Sequence, residues 1–234
     1  MKNSIIVVSL CLIVFSSYSQ KVYLASQTEF TLSSANMNST SVSSSPVVRF
    51  SGFINHESQI HLNFNKRTGI YTALGIQNIG IINRFDSSNI RVKQRAYALS
   101  APLAFKLGNL NKQTFIAIGA EANILFNYKE KFHYGDVKTR KSEWFSDKVN
   151  TFNPAVFFQI KFMKSQIITF KYFLNDFLRY QPGGLTLPNG TVVSDYGKSS
   201  KLFYISWGTN LEFRDPKVKS KGKNMIIRTA KLTE

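Results

Sequence analysis

Residues 203–213 read FYISWGTNLEF, and the two faces of this stretch decide the fold. Phe203, Ile205, Trp207, Thr209, Leu211 and Phe213 fall on one side, and Tyr204, Ser206, Gly208, Asn210 and Glu212 on the other. A period of two with one apolar face and one small or polar face is a strand between two different environments. Residues 116–128 repeat it. Ile116, Ile118, Ala120, Ala122, Ile124, Phe126 and Tyr128 are expected on the apolar side, against Gly119, Glu121, Asn123 and Asn127. Phe152, Val156, Phe158, Ile160 and Phe162 oppose Asn153, Gln159 and Lys161 in the same way. Ile60, Leu62 and Phe64 alternate with Gln59, His61, Asn63 and Asn65.

Outward from these segments the pattern predicts eight strands, at 47–55, 58–65, 70–83, 90–107, 113–129, 151–162, 166–180 and 199–213. Several exceed the usual strand length of about five or six residues, as strands tilted across a bilayer do. Short turns at 66–69, 108–112 and 163–165 alternate with longer connections at 84–89, 130–150 and 181–198. Transmembrane barrels have this rhythm of tight turns at one end and long loops at the other. The first outer connection, 56–58, is the exception.

Composition sets the orientation of the faces. The 234 residues carry 20 Phe and 10 Tyr, and only 18% are charged, which sets intrinsic disorder aside. Mean hydropathy is −0.13, too low for several apolar helical spans. A strand face in water usually carries many Lys and Glu. The polar face here carries Gly, Ala, Ser, Asn and Gln with isolated charges, so it is read as lining a crowded lumen, and the apolar face as meeting lipid. The expected lumen residues are Arg49, His61, Lys106, Glu121, Lys161, Lys171 and Glu212. The fold class is all-β, an antiparallel up-and-down transmembrane β-barrel of about eight strands.

The ends of the chain differ from this region. Lys2 followed by the apolar run 5–15 and by Ser17-Tyr18-Ser19 is the pattern of a secretory signal peptide, expected to be cleaved after Ser19. It contains Cys11, the one cysteine of the chain, behind a poor lipobox, so no disulfide is expected after export. Residues 20–46 read as a Ser-rich N-terminal segment and linker, in which 22–32 offers one further strand. The barrel is placed at 47–213. Residues 214–234 form a basic tail, where Arg214, Lys217, Lys219, Lys221, Lys223, Arg228 and Lys231 stand against Asp215 and Glu234.

The segment RAYALSAPLAFK, residues 95–106, and the Gly-centred FIAIGAEA at 115–122 resemble consecutive strands of PorT-like outer-membrane β-barrel proteins. The resemblance implies a small barrel of roughly eight strands in a Gram-negative outer membrane. Some members are implicated in secretion and gliding machinery, and most have no assigned activity. The basic tail departs from the aromatic residue that usually ends such chains.

Candidate chemistry is sparse. His61 on a polar strand face offers a base for a lipid-acting hydrolase, beside the simpler role of a lumen hydrogen-bonding residue. Glu121 and Glu212 offer a carboxylate pair, beside the simpler role of neutralising lumen bases. No metal-ligand spacing or phosphate-binding motif occurs, and no cofactor is expected. A barrel of this size has an interior just filled by side chains, which argues against an open channel. The net charge of +17 gathers in two places besides the tail. Arg84, Arg91, Lys93 and Arg95 flank one outer connection, and Lys129, Lys131, Lys138, Arg140, Lys141 and Lys148 cluster at another. These groups suit lipopolysaccharide phosphates or acidic glycans, and the tail suits an acidic envelope partner. Export and the lack of an aromatic-basic motif set nucleic acid aside. The expected role is structural or interactive, in the outer membrane, with a lipid-acting enzyme or a soluble exported barrel for a small apolar ligand as alternatives.

Overall fold

The computed structural model describes residues 21–37, 42–85 and 90–213. The expected signal peptide and basic tail lie outside the described residues. The strands are β1 (Lys21–Asn36), β2 (Ser44–Val47), β3 (Arg49–Ser51), β4 (His56–Asn63), β5 (Thr68–Phe85), β6 (Ile90–Asn109), β7 (Thr114–Tyr134), β8 (Val137–Trp144), β9 (Ala155–Phe162), β10 (Gln166–Asp176), β11 (Leu185–Thr186), β12 (Val192–Val193) and β13 (Lys201–Phe213). Eight of them, β1, β4, β5, β6, β7, β9, β10 and β13, pair antiparallel in sequence order. β13 returns to β1 from Leu24↔Phe213 to Asn36↔Lys201, which closes the ring. The expected up-and-down barrel of eight strands is therefore present, and closure leaves the eight-stranded ring itself without an edge.

The first strand is not the expected 47–55. β1 takes that place, pairing with both β13 and β4, so the barrel begins at Lys21 and not after Pro46. Its inward residues Tyr23, Ala25, Gln27, Glu29, Thr31, Ser33 and Ala35 are buried. Ser26, Thr28 and Ser34 on the outward side dilute the apolar face, so the period is weak in sequence. Residues 44–51 have a different use. β4 stops at His56 while its neighbours continue upward, and β2 and β3 fill the gap by pairing with β5 and β1 respectively.

Two further expectations change. Residues 130–150 are not a free loop, because β7 runs to Tyr134 and turns into β8, which extends the wall above β9. β10 ends at Asp176, and Phe177 and Leu178 turn into the interior, where both are buried. The tight turns lie at the same end as Lys21 and Phe213. Asn65 organises one of them: its Oδ1 accepts from the Arg67 and Thr68 amides at 2.7 and 2.8 Å. Another turn places Met163 and Lys164 both at positive φ, as a tight hairpin turn requires.

β6 shows how the sequence builds the wall. Between Tyr97 and Leu107 its outward residues are apolar, with Leu99, Leu103, Phe105 and Leu107 48–60% exposed, while Ser100 and Lys106 point inward. Pro102 has no amide hydrogen to give β5; the ladder skips from Thr72↔Leu103 to Gly75↔Ser100, and the Thr72 hydroxyl donates to the Pro102 carbonyl at 2.8 Å. Above Tyr97 the faces exchange character. Ile90, Val92 and Ala96 point inward and are fully buried, and Arg91, Lys93 and Arg95 point outward.

β7 makes the same exchange through a bulge. The β6–β7 register shifts between Tyr97 and Ala98, leaving Phe126 as the extra residue. The bulge reverses the phase of the upper part of β7, so Tyr128, expected outward, is buried in the lumen, and Lys129 and Lys131 face out.

Candidate functional site

The lumen has two halves of opposite chemistry. In the turn-side half, Lys106, Lys161 and Lys171 with Glu29, Glu57, Glu121 and Glu212 point into the barrel, surrounded by Gln27, Gln59, Gln77, Gln159 and Asn210. Lys171 Nζ lies 2.5 Å from Glu121 Oε2, and Lys161 Nζ lies 2.7 Å from Glu212 Oε1. Lys161 also donates to Asn210 Oδ1 at 2.6 Å. Glu121 and Glu212 are thus bonded to different lysines and neutralise lumen bases, as the simpler reading of the sequence has it, and the alternative carboxylate pair does not form. Glu29, which the sequence did not single out, accepts from Thr169 Oγ1 at 2.7 Å and Gln27 Nε2 at 2.9 Å. Glu57, equally unmarked, accepts from Gln59 and Gln77 at 3.2 and 3.3 Å. Both carboxylates lie in the period-two register of their strands, and that register was the available signal.

His61 is fully buried and stacked between Tyr23 and Tyr71, with ring centroids 4.7 and 4.9 Å away. Lys106 Nζ sits 3.0 Å from His61 Nδ1, and His61 Nε2 sits 2.8 Å from Gln59 Oε1. An ammonium only donates, so Nδ1 accepts and the ring proton is on Nε2, donated to Gln59. Asn210 then donates to Gln59 Oε1 at 2.6 Å and to Gln27 Oε1 at 3.1 Å. This chain of bonds crosses the barrel and joins β1, β4, β6 and β13. It is the arrangement that buried charges and amides need in order to be tolerated.

Arg49, also expected in the lumen, is buried higher up. It bonds Asn78 through both its backbone oxygen (3.0 Å) and Oδ1 (2.6 Å), pinning β3 to β5. Around and above it the lumen is apolar. Ile79, Ile81, Phe85, Ile90, Val92 and Leu125 from the wall meet Val149, Phe177, Leu178, Leu187, Val193 and Tyr196 from the connections. The 177–200 connection carries the β11–β12 hairpin and is fastened at its ends. Ser200 N donates to Asp176 Oδ1 at 2.7 Å, and Tyr196 OH donates to Gln94 Oε1 at 2.5 Å. Burial pushes the Tyr196 phenol above its ordinary range.

A mouth cavity of about 240 Å³ remains beside Tyr196, lined by Gln94, Glu130, Lys141, Lys148 and Arg179 among others. Lys148 lies 3.3 Å from Glu143 and 3.9 Å from Glu130. A 2.6 Å bond from Ser146, together with Lys148, holds the Glu143 carboxyl below its ordinary range.

The surface bases form a ladder on the outside of the wall. Its top row is Arg84, Arg91, His133 and Lys138; below it come Lys93, Lys131 and Arg140 beside Ile82; below that lie Arg95 and Lys129. Lys141 is not part of it, having the opposite strand parity and facing the mouth cavity. His133 lies above the apolar rows. Partial burial, then the charges of Lys138, Arg91, Lys131 and Lys93, hold its imidazole below the ordinary range. At the foot of the ladder, Lys129 Nζ and Arg95 Cζ lie 4.8 and 5.8 Å from the Tyr97 ring centroid. Tyr97, Phe126 and Trp144 stack there at centroid distances of 6.4 and 5.8 Å. Among the described residues, no cluster of His, Cys, Asp and Glu suits a metal ion.

Closed register, filled lumen and exposed apolar wall define the class: a small closed β-barrel with a plugged interior. No protein-family model matches the chain, and no curated protein matches it. Among solved structures the chain is similar to Ail, the attachment invasion locus protein of Yersinia pestis, at 10% identity and a TM-score of 0.39, over 84% of this chain and 99% of that one. It is also similar to the outer membrane protein OprG from Pseudomonas aeruginosa, at 9% identity and a TM-score of 0.39, over 83% of this chain and 96% of that one. The barrel is established by its own register and not by these likenesses.

Proposed function

We propose that the protein is an outer-membrane β-barrel with a structural or interaction role, working through its outer wall and loop end rather than as a pore or an enzyme. The exchange of faces along β6 carries this reading. Its outward residues are apolar from Leu107 to Tyr97, about the span a tilted strand needs to cross the hydrocarbon, and basic from Arg95 upward. A soluble barrel holding an apolar ligand requires the reverse in its turn-side half, where the lumen instead holds paired charges.

The reading is tested by heat-dependent gel migration and by protease access on intact cells, with one tag at 135–136 and one after Glu234. A heat-modifiable, detergent-extracted protein cleaved at the first tag and protected at the second is expected. A freely soluble periplasmic product overturns it.

A lipid-acting enzyme based on His61 is disfavoured, because the ring is fully buried and packed between two tyrosines. His61→Ala is expected to leave envelope lipid composition unchanged. The finer role that the PorT-like resemblance implies, an accessory of secretion or surface machinery, rests on residues 95–122 alone, and in-cell crosslinking from the 135–136 turn tests it.

A further inference from the structure

The ladder of bases has a position as well as a charge. It lies on the outside of the wall, on the same radial side as Leu99, Leu103 and Phe105, and not at the mouth. Its lowest rung, Arg95 and Lys129, stands over Tyr97, one strand pleat above the apolar rows. Aromatic rings at the top of an apolar belt mark the level of the headgroups. Cations directly above them, pointing away from the barrel axis, stand among lipid headgroups rather than in the path of a soluble molecule.

Three features show a surface built for anions. Lys93, Lys131 and Arg140 are neighbours across three adjacent strands, spaced about 5 Å apart by the ladder. Like charges directly opposite one another destabilise a sheet, so their accumulation needs a countercharge. None of the outward positions in these rows is acidic, and among the described residues none of these bases is ion-paired with a carboxylate. The ladder is also one-sided. The opposite wall, β1 and β13, ends in Ser34, Asn36 and Lys201, and Lys201 is turned to the Leu174 carbonyl.

We propose that the outer face of β5–β8 binds the phosphorylated glycolipid headgroup of the surrounding outer leaflet, with Lys93, Lys131 and Arg140 as the central contacts and Arg95 and Lys129 as the lower ones. The inference rests on the membrane reading given above.

The two tryptophans provide the test. Trp144 stands at the foot of the ladder, and Trp207 faces outward on β13, two strands further round the ring and opposite β6. The refolded chain is placed in phosphatidylcholine nanodiscs containing dansyl-labelled bisphosphoryl lipid A. Energy transfer is read from Trp144 in a Trp207→Phe background and from Trp207 in a Trp144→Phe background. Enrichment at Trp144 over Trp207 is expected, falling with added salt and with dephosphorylated lipid A. Lys93→Gln/Lys131→Gln/Arg140→Gln is expected to weaken it by roughly fivefold per cation, on the order of a hundredfold in all. Lys66→Gln/Arg67→Gln/Lys164→Gln at the turn end is expected to leave it unchanged.

Equal transfer at both tryptophans, or persistence in the ladder variant, overturns the proposal. So does stronger binding of a soluble sulfated polysaccharide than of lipid A, which would make the face a polysaccharide site. Heat-modifiable migration is followed in every sample. Its absence in the unmodified chain breaks the membrane reading itself, whereas its presence without enrichment breaks only the lipid site.

Discussion

The two halves of β6 share one strand and one register but obey opposite rules. From Leu107 to Tyr97 the chain puts leucine and phenylalanine outside and serine and lysine inside; from Ala96 to Ile90 it puts isoleucine and valine inside and arginine and lysine outside. On the membrane reading proposed above, the lower half meets an apolar solvent and the upper half water. On that reading solvent, not strand propensity, decides which face is polar, and the exchange at Tyr97 falls at the boundary between the two media. The lumen is divided at the same level. Below, the wall's own side chains fill it with ions and amides. Above, apolar residues of the wall pack against Phe177, Leu178 and Tyr196 from the connection.

The largest expected effect breaks the lower half. Lys171→Met removes the ammonium among Glu29, Glu57 and Glu121, leaving Glu121 without its ion pair. A loss of about 3–5 kcal/mol is expected in urea unfolding from lipid vesicles. An unchanged midpoint would show that the network is not needed to hold the lower half.

A charge placed on the outer wall maps the boundary. Leu103→Arg, in the middle of the apolar row, is expected to cost about 2–4 kcal/mol, whereas Leu99→Arg, one pleat below Tyr97, costs about 1 kcal/mol or less. Equal costs at the two positions would move the boundary away from Tyr97.

The smallest effect concerns the upper plug. Tyr196→Phe removes the bond to Gln94 while keeping the ring, for a loss of about 1 kcal/mol and faster proteolysis within 177–200. If cleavage there does not change, the connection is held by its apolar contacts alone.

Legibility in the sequence divides along the same line. In the lower half one strand face meets one environment, so the period of two placed His61, Lys106, Glu121, Lys161, Lys171 and Glu212 in the lumen directly. It failed where something other than alternation set the face. The bulge at Phe126 reversed Tyr128, outward serines and threonines diluted β1, and Phe177 and Leu178 left a pattern that still looked like strand. Glu29 and Glu57 were in register but unmarked, because their partners come from distant strands.

What the sequence by itself determined is local: two-faced strands, tight turns at one end, and a barrel small enough to be filled by side chains. Tertiary structure decided which strand comes first, which lysine meets which glutamate, and where the faces exchange. Glu29 meets Thr169 across 140 residues of chain, and Asn210 meets Gln27 across 183. A period of two is written into each strand separately, whereas partners this far apart are brought together only by closing the ring.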